Sequence, residues 1–201
     1  MGYDKNHVAV LSPEEGYTLL ASKYKEYHAM LDKRDGGVIS RFLPRSLTGL
    51  SVLDVGAGDG RLAKHFVWKG LARYGALDIS SRLVARAPGR CEKIVADIQE
   101  PLPFEHNTFD LLVCFFVLVH CEELQTVFRH LRGVTKEGGT LYVFHHLERR
   151  EFVHEIHGNR FKIASHYYSF SHITEAAVYE WWSEDVYDID ECSKLYIFTA
   201  I

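Results

Sequence analysis

The residues of this chain best suited to chemistry are an acid and a set of glycines that follow a short apolar run. Asp54 stands two residues before Gly56. Gly58 and Gly60 continue at every second position, and glycines let a backbone turn sharply and approach a ligand more closely than a Cβ would permit. A helix starting at Arg61 would direct free N–H groups toward this loop, which favours a carboxylate or a phosphate. The pattern therefore predicts a nucleotide-binding loop between a buried strand and a helix.

Arg61 helps to decide which nucleotide would bind. The dinucleotide fingerprint has its third glycine where this chain has Arg61, because a glycine lets the helix pack closely on the strand. This departure argues against NAD. Asp54 is a second departure, since a dinucleotide strand buried between helices is usually apolar there. A buried carboxylate is costly unless it meets donors or a cation, so we expect Asp54 to order the loop or to face a positively charged ligand. A glycine turn without a ligand is the alternative.

A strand that ends in an acid recurs twice downstream. Residues 74–80 predict a second parallel strand with Asp78 near its end, about 20 residues beyond the glycines, where a carboxylate can accept both hydroxyls of a ribose. Residues 94–98 repeat the form with Asp97, and the prolines that follow disfavour a helix. Residues 109–119 are an apolar run with one acid, long enough for a buried strand. Each strand-end acid could also be an ordinary turn residue.

In order and content, these motifs resemble those of a class I S-adenosylmethionine-dependent methyltransferase, of the broad group called methyltransferase type 11. The resemblance covers roughly residues 50–147. It implies S-adenosyl-L-methionine as the cofactor and assigns residues to each part of it. The methionine part falls to Gly56 and Gly58 with their neighbours Asp54, Ala57 and Gly60, the ribose to Asp78, the adenine to Ile79, Asp97 and the backbone N–H of Ile98, and the methionine ammonium to a carbonyl near Phe115.

The resemblance also implies the fold and its division. We expect an α/β protein of three layers, with a Rossmann-like seven-stranded sheet that is mostly parallel and has a reversed last strand. Residues 1–48 are predicted to form an N-terminal helical lid, and residues 49–201 the core, with a pocket-forming insertion at about 148–170. A length of 201 residues with 47% hydrophobic content agrees with a globular α/β unit.

An aromatic stripe marks the predicted lid. Ser12 and Pro13 suit the N-cap and first turn of a helix, which we expect to run to about Leu31. By the resemblance, Tyr24 reaches the methionine end of the cofactor, although Lys25 stands where relatives often carry an acid. Ordinary core packing is the alternative role for the stripe. Its members recur at steps of three or four residues: Tyr17, Leu20, Tyr24, Tyr27, Met30 and Leu31.

The chemistry expected at such a site is displacement at a sulfonium methyl, in which orientation of the reactants supplies up to roughly 7–11 kcal/mol. A histidine near neutral pKa would suit an acceptor that must lose a proton. His120 is the catalytic candidate, because it closes the fourth predicted strand at the edge where open α/β folds bind ligands; packing is its alternative role. The acceptor candidates lie on the stripe, after the fifth predicted strand and in the insertion: Tyr27, His146, Arg149, His166 and Tyr168.

Other site types are disfavoured. His154 and His157 are three residues apart rather than four as in the zinc-protease helix motif, so we expect no metal. A net charge of −4 argues against a nucleic-acid partner, although residues 61–93 are locally basic. The cysteines lack C-x-x-C spacing, which favours reduced structural thiols. No run of 18 apolar residues predicts a membrane span, and the cytoplasm is the expected location.

We therefore interpret the chain as a methyltransferase that uses S-adenosyl-L-methionine and acts on a small-molecule acceptor. A methyltransferase for a protein or for a carrier-bound acyl chain is the first alternative. A scaffold that binds the cofactor without turnover is the second, and an NAD oxidoreductase is the third. The sequence assigns neither the acceptor atom nor an oligomeric state.

Overall fold

The computed structural model describes residues 2–3, 8–66, 69–147, 152–180 and 182–201, without the side chains of residues 2–3 and 182–183. The predicted acceptor residue Arg149 lies outside this part of the chain. The strands are β1 (Gly2–Tyr3), β2 (Ala9–Leu11), β3 (Ser51–Val55), β4 (Arg73–Asp78), β5 (Glu92–Val95), β6 (Phe109–Phe115), β7 (Thr135–His146), β8 (His154–Ile156), β9 (Asn159–Ile163), β10 (Trp182–Asp190) and β11 (Ser193–Ala200). The helices are α1 (Pro13–Leu20), α2 (His28–Asp35), α3 (Val38–Phe42), α4 (Ser81–Val84), α5 (Leu124–Val134) and α6 (Phe170–Val178), with 3-10 helices at Tyr24–Tyr27, Arg61–His65 and Leu118–His120.

A seven-stranded sheet lies at the centre, in the order β10-β11-β7-β6-β3-β4-β5. The strands from β3 to β7 pair in parallel, and β11 runs antiparallel to both β7 and β10. The predicted sheet with a reversed last strand is thus confirmed. The chain builds outward from β3 to β5 on one side and from β6 to β7 on the other. Open α/β sheets bind ligands at such a switch point, beyond the carboxyl ends of the strands.

Helices cover both faces of this sheet. One apolar cluster joins the sheet to α5 and α6, through residues such as Phe128 and Ile173. The other joins it to α3 and to the 3-10 helix after β3, through Ile39 and Leu62. The three-layer arrangement predicted from the sequence is therefore present. In α5 the buried positions recur every three or four residues, as an amphipathic helix requires: Leu124, Val127, Phe128, Leu131 and Val134.

A second sheet, which the sequence did not predict, joins the amino-terminal segment to the predicted insertion. Its four strands have the order β1-β2-β9-β8. β2 pairs in parallel with β9, so that Leu11 lies beside Ile163. β8 and β9 form a hairpin through His157 and Gly158, whose φ angles are 51° and 78°, as in a type I′ turn. β2 has only three residues, and its partner lies far along the chain, so local periodicity gives no signal for the pairing.

The predicted amino-terminal helix has the right start and the wrong length. Ser12 Oγ accepts the backbone N–H of Glu15 at 3.3 Å, and the Glu15 carboxylate accepts the Ser12 N–H at 3.1 Å. The helix then ends at Leu20 instead of near Leu31, and a turn followed by the 3-10 helix Tyr24–Tyr27 leads to α2. The tighter turn brings the ring of Tyr24 against the glycine loop. The spacing of the stripe indicated a continuous helix. The break in the helix, which accompanies this tertiary contact, has no signal in that spacing.

One other helix prediction differs from the structure. The segment after the glycine loop is a 3-10 helix of five residues, Arg61–His65, rather than an α-helix. The last helix, α6, is capped by Ser169, because Ser169 Oγ accepts the N–H of His172 and the His172 ring accepts the Ser169 N–H. In the described ranges, no helix has the length and apolar character needed to cross a bilayer.

Candidate active site

The glycine loop leaves β3 in left-handed conformations, with φ of 66° at Gly56, 57° at Gly58 and 83° at Gly60. A Cβ on Gly56 would collide with the side chain of Val117, and a Cβ on Gly58 would lie 2.8 Å from Tyr24 Cε1. Glycine is therefore needed here both for the backbone conformation and for the space. The glycine loop therefore lies directly against Tyr24 of the predicted lid.

Asp78 holds the glycine loop in place. One of its carboxylate oxygens accepts the backbone N–H of Gly58 at 2.8 Å, and the other accepts that of Ser80 at 2.8 Å. Burial raises the pKa of Asp78, and these two backbone hydrogen bonds oppose the shift. Each carboxylate oxygen has further acceptor capacity. Asp78 can therefore order the loop and still accept hydrogen bonds from a ligand.

Asp54 is almost fully buried, at 2% exposure. The Tyr74 hydroxyl donates to its Oδ2 at 2.7 Å. Burial raises the pKa of the Asp54 carboxyl to about 7, and the Tyr74 hydrogen bond and the charge of Arg61 act in the opposite direction. A cationic group beside Asp54 would favour the ionised carboxylate. The Tyr74 hydroxyl is thus the donor that the buried Asp54 carboxylate requires. A cationic ligand beside Asp54 stays a prediction.

Arg61, at the position that argued against a dinucleotide, joins the glycine loop to the amino-terminal segment. Its Nη1 lies 2.6 Å from Asp32 Oδ1 and 2.6 Å from Asp35 Oδ2, and both acids belong to α2. The Arg61 side chain and Asp35 are both buried. A second link joins His28 Nε2 to Asp59 Oδ1 at 2.6 Å. These contacts fix α2 over the edge of the sheet.

A cavity of about 390 Å³ opens at the carboxyl ends of β3, β4 and β6. Gly58 and Gly60 are not in its lining; Gly58 is turned toward Asp78, and Gly60 packs against Pro88. Asp97, beyond β5, uses Oδ1 to accept the Gln99 N–H at 2.9 Å. The other nine residues predicted to bind the cofactor do line the cavity: Tyr24, Asp54, Gly56, Ala57, Asp78, Ile79, Asp97, Ile98 and Phe115.

His120 is hydrogen-bonded on both ring nitrogens. Its Nδ1 lies 2.8 Å from the carbonyl oxygen of Ala164, and its Nε2 lies 2.7 Å from the Tyr17 hydroxyl. A carbonyl only accepts, so Nδ1 carries a proton. Burial lowers the pKa of His120, so the ring is neutral near pH 7 and Nε2 is the acceptor. Tyr17 therefore donates its hydroxyl proton to His120.

A second cavity, of about 250 Å³, lies beside the first. All six members of the aromatic stripe line it, together with Arg34 and five histidines from the 3-10 helix Leu118–His120, β7 and the insertion. The two cavities share one wall, formed by Tyr17, Tyr24, Leu31, Phe116 and His120.

The structure brings together some of the predicted acceptor residues and not others. Tyr27, His146 and His166 line the second cavity. Tyr168 lines neither cavity; its hydroxyl donates to the carbonyl oxygens of Cys121 at 2.7 Å and Glu122 at 2.9 Å. Among the residues that the structure describes, no group of His, Cys, Asp and Glu is arranged to hold a metal ion.

Sequence reasoning did not assign a site role to Tyr17, His154 or Phe116. Tyr17 belongs to the predicted stripe, and its spacing from Tyr24 was the available signal. His154 accompanies Tyr27 in the second cavity, with Tyr27 Oη 3.2 Å from His154 Nδ1, a pairing without a sequence signal. Phe116 follows β6 with φ of 64°. A left-handed aromatic residue is uncommon, and such backbone outliers cluster at functional sites.

Comparison with known proteins agrees with this geometry. Residues 53–143 match the methyltransferase domain family. A demethylmenaquinone methyltransferase of Tropheryma whipplei is 29% identical over 150 residues, which are 71% of this chain and 62% of the relative. A malonyl-[acyl-carrier protein] O-methyltransferase of Salmonella typhimurium is 31% identical over 127 residues, which are 60% of this chain and 48% of the relative. The matched region thus spans less than two thirds of either relative's length.

A solved structure shares the fold over nearly the whole chain. The DhpI–SAH complex superposes with a TM-score of 0.77 at 18% identity, covering 92% of this chain and 94% of that one. The glycine loop after β3 and the acids Asp78 and Asp97 at the next two strand ends lie within the matched region. The chain therefore has the fold of the class I methyltransferases, and residues 53–143 match the methyltransferase domain family.

Proposed function

We propose that this chain transfers a methyl group from S-adenosyl-L-methionine to a small-molecule acceptor. The observation that carries the proposal is the common wall of the two cavities, which includes Tyr17 and His120. Methyl transfer requires the reacting atoms to approach to about 3–3.5 Å in a defined orientation. Adjacent cavities for donor and acceptor meet that requirement without a covalent enzyme intermediate.

The lining of the first cavity suits the cofactor of this family. When bound, S-adenosyl-L-methionine supplies a methyl group on a positively charged sulfur. Asp78 accepts the ribose hydroxyls, and Asp97 accepts from the adenine amino group. Ile79 contacts a face of the adenine, and the backbone N–H of Ile98 donates to its ring. Asp54, Gly56, Ala57, Tyr24 and the Phe115 carbonyl surround the methionine part. In support, these nine residues line one cavity of about 390 Å³, within the range of about 300–1,000 Å³ common for ligand sites.

Gly58 and Gly60 act through the backbone of the loop rather than by lining the cavity. The Gly58 N–H occupies one oxygen of Asp78, which fixes the carboxylate that meets the ribose. Gly60 keeps the loop close to Pro88, since a Cβ there would lie 2.6 Å from Pro88 Cδ. The glycines therefore shape the site even where they do not contact the ligand.

The amino-terminal residues 1–48 act as a lid in this proposal, and the insertion at about 148–170 completes the acceptor pocket. The lid contributes the aromatic stripe to the second cavity and is fixed by Arg61 through Asp32 and Asp35. The insertion contributes His154 and His166. Tyr27, His146 and His166 contact the acceptor, Tyr168 supports the pocket from outside its lining, and His120 takes part in proton transfer.

A carrier-bound acyl acceptor is the second candidate. It is favoured by the similarity to the malonyl-[acyl-carrier protein] O-methyltransferase. The size of the second cavity, about 250 Å³, favours a small free acceptor. The two candidates share the cofactor site and differ in the acceptor that consumes the cofactor.

Calorimetry with S-adenosylhomocysteine tests the cofactor assignment. Asp78→Asn removes the charge that strengthens the ribose hydrogen bonds. One lost charge-assisted hydrogen bond is worth about 1.5–3 kcal/mol, so we expect the affinity to fall about ten- to hundredfold. Asp110→Asn is the matched control, because Asp110 also accepts a backbone N–H, from Ser51 at 2.8 Å, but lies outside both cavity linings.

The control should bind S-adenosylhomocysteine as the unchanged protein does. Equal affinities for Asp78→Asn and the unchanged protein would remove the ribose assignment. Binding of NADH instead of S-adenosylhomocysteine would overturn the proposed function as a whole. Binding without turnover on any acceptor would favour a scaffold.

A further inference from the structure

We propose that the second cavity accepts a single-ring phenol, and that its hydroxyl proton leaves through Tyr17 to His120. The inference rests on the proposed function and names the acceptor class of the same site. It depends on three observations: the size of the cavity, the charge of its wall, and the hydrogen bond that already occupies His120.

The size of the second cavity favours one aromatic ring. Its volume is about 250 Å³, and an engineered apolar cavity of about 150 Å³ in another protein holds benzene. The remaining space suits a few substituents on the ring. Rings already line the wall in edge contacts, with the centroids of Tyr27 and His154 5.8 Å apart and those of Tyr17 and His120 5.2 Å apart. Aromatic rings pack favourably at such separations.

The charge of the wall favours an uncharged acceptor. Among the described residues that line this cavity, none is a carboxylate. Burial lowers the pKa of His120, His145 and His154, so these rings stay neutral near pH 7. An ammonium acceptor would thus find no counter-ion in this lining and would lose its hydration. The guanidinium of Arg34, the one Lys or Arg side chain in this described lining, lies 5.1 Å over the Phe152 ring.

The hydrogen bonds of His120 determine the route of the proton. Its Nδ1–H is held by the Ala164 carbonyl, and its Nε2 already accepts the Tyr17 hydroxyl proton. An acceptor therefore does not reach a free lone pair on His120. The Tyr17 oxygen still has acceptor capacity and lines both cavities. A phenol donating to Tyr17 joins a chain of two hydrogen bonds that ends on His120.

The transfer balances along this chain. As the phenol O–H bond breaks, its proton passes to the Tyr17 oxygen, and the original Tyr17 proton passes to His120 Nε2. The oxygen electron pair forms the new bond to the methyl carbon, and the pair of the broken methyl–sulfur bond stays on sulfur. One positive charge is present before the step, on sulfur, and one after it, on the imidazolium. The imidazolium, held by the Ala164 carbonyl, then loses a proton to water.

A panel of four single-ring compounds tests the acceptor class. Phenol, 4-methylphenol, benzylamine and benzoate are titrated into the full chain saturated with S-adenosylhomocysteine. We expect the two phenols to bind at least about tenfold more tightly than the charged compounds, because the wall does not repay the lost hydration of a charge. With S-adenosyl-L-methionine present, phenol should yield its methyl ether.

The outcomes separate this inference from the proposed function. Benzylamine or benzoate binding as tightly as phenol, or being methylated in its place, overturns the phenol class. The same holds if none of the four binds to a protein that does bind S-adenosylhomocysteine. A chain that fails to bind S-adenosylhomocysteine refutes the proposed function itself.

Two variants test the proton route. Tyr17→Phe removes the relay and His120→Gln removes its end, while Tyr179→Phe, at a position 71% exposed, is the control. We expect kcat with phenol to fall about hundredfold or more in the first two and to be unchanged in the control. Tyr17→Phe should also weaken 4-methylphenol binding by about three- to tenfold through one lost hydrogen bond. Affinity for S-adenosylhomocysteine should stay within about twofold, because neither change removes a charge-assisted contact.

The pH profile distinguishes this route from a structural role. The titratable groups around His120 are Tyr17 on α1, His154 on β8 and His166 after β9. Because the pKa of His120 is lowered, kcat should be lost only as pH falls below about 6.5, its usual value. His120→Gln should abolish that acid limb. Retention of the limb, or equal losses of phenol and S-adenosylhomocysteine affinity, overturns the proposed relay.

Discussion

The three acids assigned to the cofactor in the first cavity come from three successive strand ends, whereas the hydroxyl–histidine pairs of the second cavity join parts of the chain that are remote in sequence. Asp54, Asp78 and Asp97 lie at or just after β3, β4 and β5. In the second cavity, the Tyr17 hydroxyl meets His120 across 103 positions, and the Tyr27 hydroxyl meets a histidine of the insertion across 127. The positions of these three acids thus depend on the backbone of one edge of the sheet. The second cavity depends on the docking of segments that are remote in sequence.

This difference teaches which part of the site can open. Residues of the sheet edge are held by the parallel ladder and by buried clusters on both faces. The amino-terminal segment is held over the cavities by a few side-chain contacts, chiefly those of Arg61, and by the small sheet. Regions held by fewer contacts open locally at a lower free energy than the core. The acceptor cavity therefore exists only while the lid is docked, and the acids of the cofactor cavity do not need the lid.

The largest expected effect comes from removing the anchor between the two regions. Arg61→Met leaves Asp35, at 1% exposure, buried without its cation, and breaking a buried pair in this way costs about 3–5 kcal/mol. Lys64→Met is the control, because Lys64 makes an exposed pair with Asp32 at 2.9 Å, worth about 0–1 kcal/mol. Urea unfolding measures both free energies, and limited proteolysis shows whether cleavage begins in the amino-terminal segment. If both substitutions cost the same, the anchor has no special role.

A smaller effect is expected from glycine substitutions, which test whether the shape of the glycine loop controls the cofactor cavity. Gly56 and Gly138 have similar φ angles, 66° and 71°, and an alanine in that conformation costs about 1–2 kcal/mol at either position. At Gly56 the new Cβ also collides with Val117, whereas nothing lies within 4 Å at Gly138. We expect Gly56→Ala to lose about a further 1–2 kcal/mol of stability through overpacking and to weaken S-adenosylhomocysteine binding more than tenfold.

Gly138→Ala should keep that binding, as thermal unfolding and calorimetry on both variants will show. Equal binding by the two variants would mean that the shape of the glycine loop does not control the cofactor cavity.

The sequence predicts the first region well because its signals are local. A strand, a glycine turn and a strand-end acid each occupy a few consecutive residues, and parallel strands bring their carboxyl ends to one edge. Asp54, Asp78 and Asp97 therefore line the same cavity, as those signals indicate. The seven-stranded, mostly parallel sheet with a reversed last strand followed from the family resemblance of these motifs and is confirmed.

The second region could be predicted only in part. The six members of the stripe from Tyr17 to Leu31 still line one cavity, although the helix that carries them ends at Leu20. The pairing of β2 with β9, and the contact of the Ala164 carbonyl with His120, are set by tertiary packing. No local pattern encodes such contacts, so the tautomer of His120 and its hydrogen bond with Tyr17 appear only in the structure.

The smallest expected effect comes from the contact between α1 and β9, which are remote in sequence and build the second cavity. Gly16 of α1 lies directly on β9, and a Cβ there would be 2.5 Å from Ile163 Cγ1. In Gly16→Ala, the gain in helix propensity of about 1 kcal/mol is offset by overpacking of about 1–3 kcal/mol. Stability should therefore change by at most about 2 kcal/mol. Because Tyr17 follows Gly16, 4-methylphenol binding should weaken while S-adenosylhomocysteine binding holds.

The double substitution Gly16→Ala with Ile163→Ala removes the atoms nearest to the new Cβ and leaves Ile163 Cβ at 3.4 Å. Residues in direct contact couple by about 0.5–3 kcal/mol in a double-mutant cycle, so the pair should lose less stability than the sum of the single changes. Urea unfolding of the four proteins gives that coupling, and calorimetry gives the two affinities. If Gly16→Ala weakens both ligands equally, the two cavities are not independent, and the contrast between a local and a remote construction fails.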